Sequence, residues 1–166
     1  MTNTSGVPEA GPAQAVSPRG RFFANQTFHF ETLRSAGYIV SNCADLGEVL
    51  ETVKVIDEGD VQSWYTSWEA TADRVLALAE RTQDPLSKGG AYMRASMYQR
   101  TAEFLIPPDD PKRPESFEKT GNYFFKGLDT LGVRYERLTV PYGAGNLRAL
   151  YYPGPQGAET KPLIMF

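Results

Sequence analysis

The side chains that most often carry chemistry are scarce in this sequence. It has one histidine, His29, and one cysteine, Cys43. A lone imidazole can act as a general base only beside a nucleophile, and His29 lies instead in a run dense in phenylalanine: Phe22, Phe23, Phe28 and Phe30. It reads as a helix residue on an apolar face. Cys43, in Ser41-Asn42-Cys43-Ala44, has no cationic neighbour to depress its thiol and reads as structural. One His and one Cys cannot build a zinc site, and no carboxylate spacing matches a calcium loop, so no metal and no cofactor are expected. Gly143 and Gly145 are followed by neither the third glycine nor the helix of a phosphate loop, so a hairpin turn is the expectation there. Asp109 and Asp110 sit among prolines and are expected to be solvated.

The aromatic residues are the remaining candidates. Trp64, Tyr65, Trp68, Tyr92 and Tyr98 are rings that supply contact area with, in tyrosine and tryptophan, a polar handle. They are the candidate lining of a substrate pocket for a flat or aromatic molecule. The same spacing also serves plain helix packing. Arg94, Arg100 and Glu103 fall in the same region, with Arg100 and Glu103 spaced for an i,i+3 ion pair.

These residues need helices to position them. Residues 1–20, rich in Pro, Gly, Ala and Ser without periodicity, are expected to form a disordered tail. A first helix is predicted over residues 22–36, ending at Gly37. Asp45 and Glu48 have the spacing of a capping box, opening a second helix with the stripe Leu46, Val49, Leu50, Val53 and Ile56. Asp60 caps a long third helix whose face carries Val61, Trp64, Tyr65, Trp68, Ala72, Val75, Leu76 and Ala79. The pair Asp84-Pro85 interrupts the pattern. A fourth helix over residues 88–105 is apolar or small on two sides, so it should be sandwiched between neighbours. After the proline loop at residues 107–111, a fifth helix over residues 115–131 aligns Phe117, Gly121, Phe124, Leu128 and Leu131. Short connections suggest a compact bundle. At Val133 the period changes: residues 133–141 and 147–152 alternate like strands around a turn-rich linker, which predicts a β-hairpin. The final run, Leu163-Ile164-Met165-Phe166, reads as a strand buried on both faces. Such a strand requires covering helices and pairing neighbours, and the expectation is therefore that the chain is cut short.

The stretches Gly59-Asp60-Val61-Gln62-Ser63-Trp64-Tyr65-Thr66-Ser67-Trp68 and Tyr92-Met93-Arg94-Ala95-Ser96-Met97-Tyr98-Gln99-Arg100-Thr101-Ala102-Glu103-Phe104 carry a family resemblance. So do Leu147-Arg148-Ala149-Leu150-Tyr151-Tyr152-Pro153 and Lys161-Pro162-Leu163-Ile164-Met165-Phe166. Over residues 21–166 the sequence resembles α/β-hydrolases with an N-terminal helical domain. This group includes the 2,6-dihydroxypseudooxynicotine hydrolases, the fungal polyketide-shortening pigment hydrolases and the fermentation–respiration switch proteins. The resemblance implies a mainly α-helical cap domain, residues 21–132, then the initial hairpin and strand of an incomplete α/β-hydrolase domain, residues 133–166. It also implies nucleophilic hydrolysis in the whole protein, by a Ser activated by His with an oxyanion hole, at an ester or at a C–C bond next to a carbonyl. No Gly-x-Ser-x-Gly elbow occurs in the sequence, so the chain alone is expected to be inactive.

The implied partner is a small molecule, aromatic or polyketide-like, and the resemblance is compatible with a homodimer. A net charge of −3 gives no footprint for nucleic acid, and no apolar run approaches the roughly 20 residues of a membrane span. With no secretory signal and a single cysteine, a soluble cytoplasmic protein is the expectation. The alternative is a complete small helical binding module, in which the aromatic face of the third helix would be a groove for a partner.

Overall fold

The computed structural model describes residues 22–154, so the expectations for residues 1–20 and for Leu163–Phe166 lie outside the described residues. Helix α1 spans Gln26–Gly37. It begins at Gln26 rather than Phe22 because Asn25 supplies the cap, its side chain accepting from the backbone N–H groups of Thr27 and Phe28 at 3.0 and 3.2 Å. Phe22 and Phe23 precede the helix and fold back on it, with the Phe23 ring edge-on to Phe28 at 5.6 Å. The α-helix ends at Gly37 as expected, but Gly37 keeps a right-handed φ of −59°. A 3-10 turn, Tyr38–Ser41, continues the helix, and the left-handed residue that ends it is Asn42, at φ 57°.

Helix α2, Leu46–Val53, is capped by Asp45, which accepts from the Glu48 N–H at 3.1 Å. The reciprocal half of the capping box does not form, because the Glu48 carboxylate is bound elsewhere. Val49, Thr52 and Ile56 are buried, while Leu46 and Leu50 are exposed. Helix α3, Val61–Arg81, starts as expected, with Asp60 accepting from Gln62 and Ser63. Helix α4, Pro85–Glu103, starts earlier than expected. Asp84 is its N-cap and Pro85 its first residue, where a missing N–H costs nothing and the fixed φ already suits a helix. Helix α5, Lys112–Thr130, is rotated from the predicted stripe: Phe117 is exposed, and Ser116, Gly127 and Leu128 are buried.

Helix α4 packs along α3 on one side and α5 on the other, which is why its small residues serve two faces. A Cβ on Gly89 would lie 2.5 Å from Leu131 Cγ, and one on Gly127 would lie 2.6 Å from Met93 Sδ. These glycines let α4 and α5 approach closely. Lys112, Lys119 and Lys126 of α5 reach Gln62, Glu69 and Glu80 of α3 in the same order, so α3 and α5 run in one direction across α4.

Strands β1, Glu136–Tyr142, and β2, Gly145–Tyr151, form the expected antiparallel hairpin, with Glu136 opposite Tyr151 and Tyr142 opposite Gly145. The strands run closer to the turn than predicted, because Gly143 takes φ 56° and closes it in two residues. One face carries Leu138, Val140, Tyr142, Leu147 and Tyr151, all exposed. The other carries Arg137 and Arg148, which reach α5: Arg137 lies 3.3 Å from the Phe125 ring centre and Arg148 pairs with Glu118 at 3.7 Å. The hairpin thus touches the helices through its polar face and presents its apolar face outward.

Candidate functional site

Helix α3 places Trp64 and Trp68 one turn apart on its inner face, and both are fully buried. Their ring centres are 5.7 Å apart; Phe28 meets Trp64 edge-on at 4.9 Å, and Tyr98 lies 5.7 Å from Trp68. The Trp64 indole N–H donates to the Thr101 carbonyl at 2.8 Å, fastening the start of α3 to the end of α4. The structure therefore brings three of the five aromatic candidates, Trp64, Trp68 and Tyr98, into one stack at the centre of the core.

The Tyr98 hydroxyl donates to Glu48 Oε2 at 2.7 Å and accepts from the Asp45 N–H at 2.8 Å. Arg94 grips the same Glu48 carboxylate with two N–H groups, at 3.0 and 3.2 Å. Burial, with the Glu48 carboxylate adding to it, pushes the Tyr98 phenol up. At neutral pH it is a fixed hydrogen-bond donor that holds α2 on α4.

Tyr65 and Tyr92 differ from these three. Their rings are buried, but their polar ends reach charged surface residues. Tyr65 donates to Glu69 at 2.9 Å, and burial together with that carboxylate pushes its phenol up to about 12. Lys112 lies 5.2 Å over the Tyr65 ring and Lys126 lies 5.4 Å over Tyr92. Burial works against the charge on Lys119, but its hydrogen bonds to Glu115 and Glu69 outweigh it and hold the ammonium above its usual value. Three lysines, seven residues apart, thus strap α5 to α3 over the two tyrosines. The lysines cover rings that are already buried, and the arrangement sets no base beside a nucleophile.

The other sequence candidates take structural places. His29 Nδ1 accepts from the Phe22 N–H at 3.2 Å, and no Ser, Thr or Cys side chain bonds to this imidazole among the described residues. Cys43 is half-buried, with its Sγ 3.4 Å from the Ser41 carbonyl. Asp110 accepts from the Lys112 N–H at 2.8 Å in the proline loop. Arg100 and Glu103 do not pair as their spacing suggested: Arg100 donates to the Tyr38 hydroxyl, and Glu103 faces Arg113 at 3.6 Å. Among the described residues no three His, Cys, Asp or Glu side chains converge on a metal-sized site.

One concavity was not foreseen. An open cleft of about 640 Å³ lies where α5 gives way to the hairpin, lined by Asp129, Arg134, Tyr135, Glu136 and Arg137 among others. Tyr135 donates to Asp129 at 2.8 Å and stacks on Phe125, while Arg134 donates to the Gly154 carbonyl at 3.2 Å. The cluster Arg134-Tyr135-Glu136-Arg137 at the change of period was the available signal.

No family model matches the chain. It is similar to the hydrolase acrC of Aspergillus aculeatus, 34% identical over 151 residues, covering 84% of this chain and 35% of the relative. It is similar also to the 20-hydroxy-prefusarin hydrolase FUS2 of Gibberella moniliformis, 35% identical over 127 residues, covering 74% of this chain and 30% of that protein. The alpha/beta hydrolase psoB of Aspergillus fumigatus is 28% identical over 149 residues, which is 86% of this chain and 34% of psoB. The chain is homologous to fungal hydrolases. It spans about a third of the length of these curated relatives. The resemblance to α/β-hydrolases read from the sequence is borne out by them. So is the fold class: five α-helices are followed by a two-stranded sheet, as a helical cap followed by the first strands of a hydrolase sheet requires. Among the described residues, no helix is long and apolar enough to cross a membrane.

Proposed function

We propose that this chain is the helical, substrate-shaping portion of a Ser-dependent α/β-hydrolase that cleaves an ester or a C–C bond next to a carbonyl. The observation that carries the proposal is its homology to fungal hydrolases about two and a half times its length, with identities of 34–36% among the first of them. The outward apolar face of the hairpin supports it, since a strand pair of this kind gains stability when a larger sheet and its covering helices enclose it. Residues 21–132 act as the cap and residues 133–166 begin the sheet. The substrate is a small aromatic or polyketide-like molecule, and a homodimer is compatible with this role. Of the five aromatic candidates, all buried in this structure, Trp64, Trp68 and Tyr98 hold the fold, and Tyr65 and Tyr92, under Lys112 and Lys126, are the two assigned to the substrate pocket of the whole protein.

By itself the chain does not hydrolyse substrate: its one imidazole accepts from a backbone N–H, and among the described residues no nucleophilic side chain bonds to it. The test pairs two preparations. The isolated 166-residue chain should neither react with a fluorophosphonate probe nor hydrolyse p-nitrophenyl esters. The native protein, captured from its source cells with an antibody to α3 and α4, should have about two and a half times this length and should label. Labelling of the 166-residue chain, or a native species of 166 residues, would overturn the proposal.

A further inference from the structure

A small cavity of about 10 Å³ lies between α1 and α4, far from the aromatic stack in character. Its lining includes Glu31, Arg34, Ser35, Tyr38, Arg100 and Phe104. Two guanidinium groups dominate it. Arg34 rests 5.2 Å over the Phe104 ring and pairs with Glu31 at a long 3.5 Å. Arg100 donates to the Tyr38 hydroxyl at 3.1 Å, and among the described residues no carboxylate pairs with it. The cluster therefore carries one positive charge in excess: Arg34 and Arg100 against Glu31.

Its hydrogen bonds are unbalanced in the same sense. The Tyr38 oxygen accepts from Arg100, and the Arg34 guanidinium lines the same cavity. The two guanidinium groups hold the Tyr38 phenol below its usual value. Ser35 is 1% exposed, lines the cavity, and its hydroxyl has no partner. A buried hydroxyl left unpaired is costly, and native structures rarely retain one. Spare donors together with spare positive charge call for a group that only accepts and carries one negative charge.

We infer that Arg34, Tyr38 and Arg100, with Ser35 behind them, form a binding site for a single carboxylate group. The cavity admits one atom, so one carboxylate oxygen enters to accept from Ser35 while the other stays at the mouth between the guanidinium groups. Arginine suits this task because its planar fork matches the two oxygens of a carboxylate. The Glu31 carboxylate at the same site disfavours a dianion such as phosphate. The carboxylate can come from a free small acid or from an acidic side chain of another protein.

The test is an NMR titration of the full 166-residue chain with sodium acetate, set against sodium chloride at matched ionic strength, with a short glutamate-containing peptide as a third arm. Acetate should shift the Ser35 and Tyr38 amide signals saturably, with affinity on the order of millimolar, and should raise the pH at which the Tyr38 phenol titrates. Arg100→Gln should weaken acetate at least about tenfold. Ser35→Ala should weaken it several-fold with the fold unchanged. Tighter binding of the peptide assigns the site to an acidic side chain, whereas equal or weaker binding assigns it to a free acid. An equal response to chloride, no saturable shift, or unaltered affinity in Arg100→Gln would overturn the inference. Should that variant fail to fold, undiminished acetate affinity in Ser35→Ala overturns it alone.

Discussion

The Tyr65 phenol donates to Glu69 from a buried ring, and its proton is held up to about 12 against the usual 10.0. The folded state thus favours the neutral phenol more than the unfolded chain does. The stabilisation is complete below pH 10 and is lost as pH rises from there toward 12. Tyr65→Phe keeps the ring and removes the titrating group. Urea unfolding should find this variant less stable than the parent by about 1 kcal/mol at pH 7, the ordinary worth of a hydrogen bond to a charged partner at a part-buried site. The difference should shrink, and can reverse, between pH 10 and 12. A difference that stays constant across that range would mean the phenol does not titrate with the fold. Glu48 teaches a different point at the same scale. Its spacing from Asp45 is that of a local cap, yet its carboxylate goes to Arg94 and Tyr98 on α4. Local spacing reveals what a residue can do for its own helix. It cannot reveal a competing partner 46 residues away.

At the scale of elements, α5 offers two glycines in opposite settings. An added methyl at Gly127 would meet Met93 Sδ at 2.6 Å and the Gly89 carbonyl oxygen at 3.4 Å, while one at Gly121 meets nothing within 4 Å. Gly127→Ala should therefore displace the Met93 side chain and cost roughly 1 kcal/mol by overpacking. Gly121→Ala should stabilise by about 0.5–1 kcal/mol, the ordinary gain of replacing glycine within a helix. Chemical denaturation of the two single variants checks both signs. The starts of α2 and α3 were legible because their caps are local chemistry: Asp45 and Asp60 each accept from the N–H groups that follow them, whereas Asp84, read as an interruption, caps α4 in the same way. The rotation of α5 was not. Its buried residues are Ser116, Gly127 and Leu128, of which Leu128 belongs to the predicted stripe and Gly127 lies where α4 comes close. A hydrophobicity stripe picks Phe117 instead, which is exposed. The aromatic candidates show the same limit. Period 3.6 put Trp64, Tyr65 and Trp68 on one face, but only the packing of α4 and Phe28 separates the stacked indoles from the tyrosines with polar ends at the surface.

For the molecule as a whole, the hairpin is where its parts are least balanced. Alternation identified the strands in advance, but it could not say which face meets α5. Arg137 and Arg148 decide that by binding Phe125 and Glu118, which turns Leu138, Val140 and Leu147 outward at 42%, 46% and 52% exposure. Contiguous exposed apolar surface of this kind binds hydrophobic dyes and drives association. Replacing Leu138, Val140 and Leu147 together with threonine keeps β-propensity and removes the apolar face. In the 166-residue chain the triple variant should bind less hydrophobic dye and sediment as a smaller species. Its helical unfolding should move by no more than about 0.5 kcal/mol, since these side chains are not buried against the helices. In the proposed longer protein the same replacement should be costly, because there the remainder of the sheet and its helices would cover this face. Each buried position would then lose on the order of 1–2 kcal/mol. A large loss in the short chain would show that the hairpin face is already packed within it, and equal small losses in both would show that nothing covers it in either.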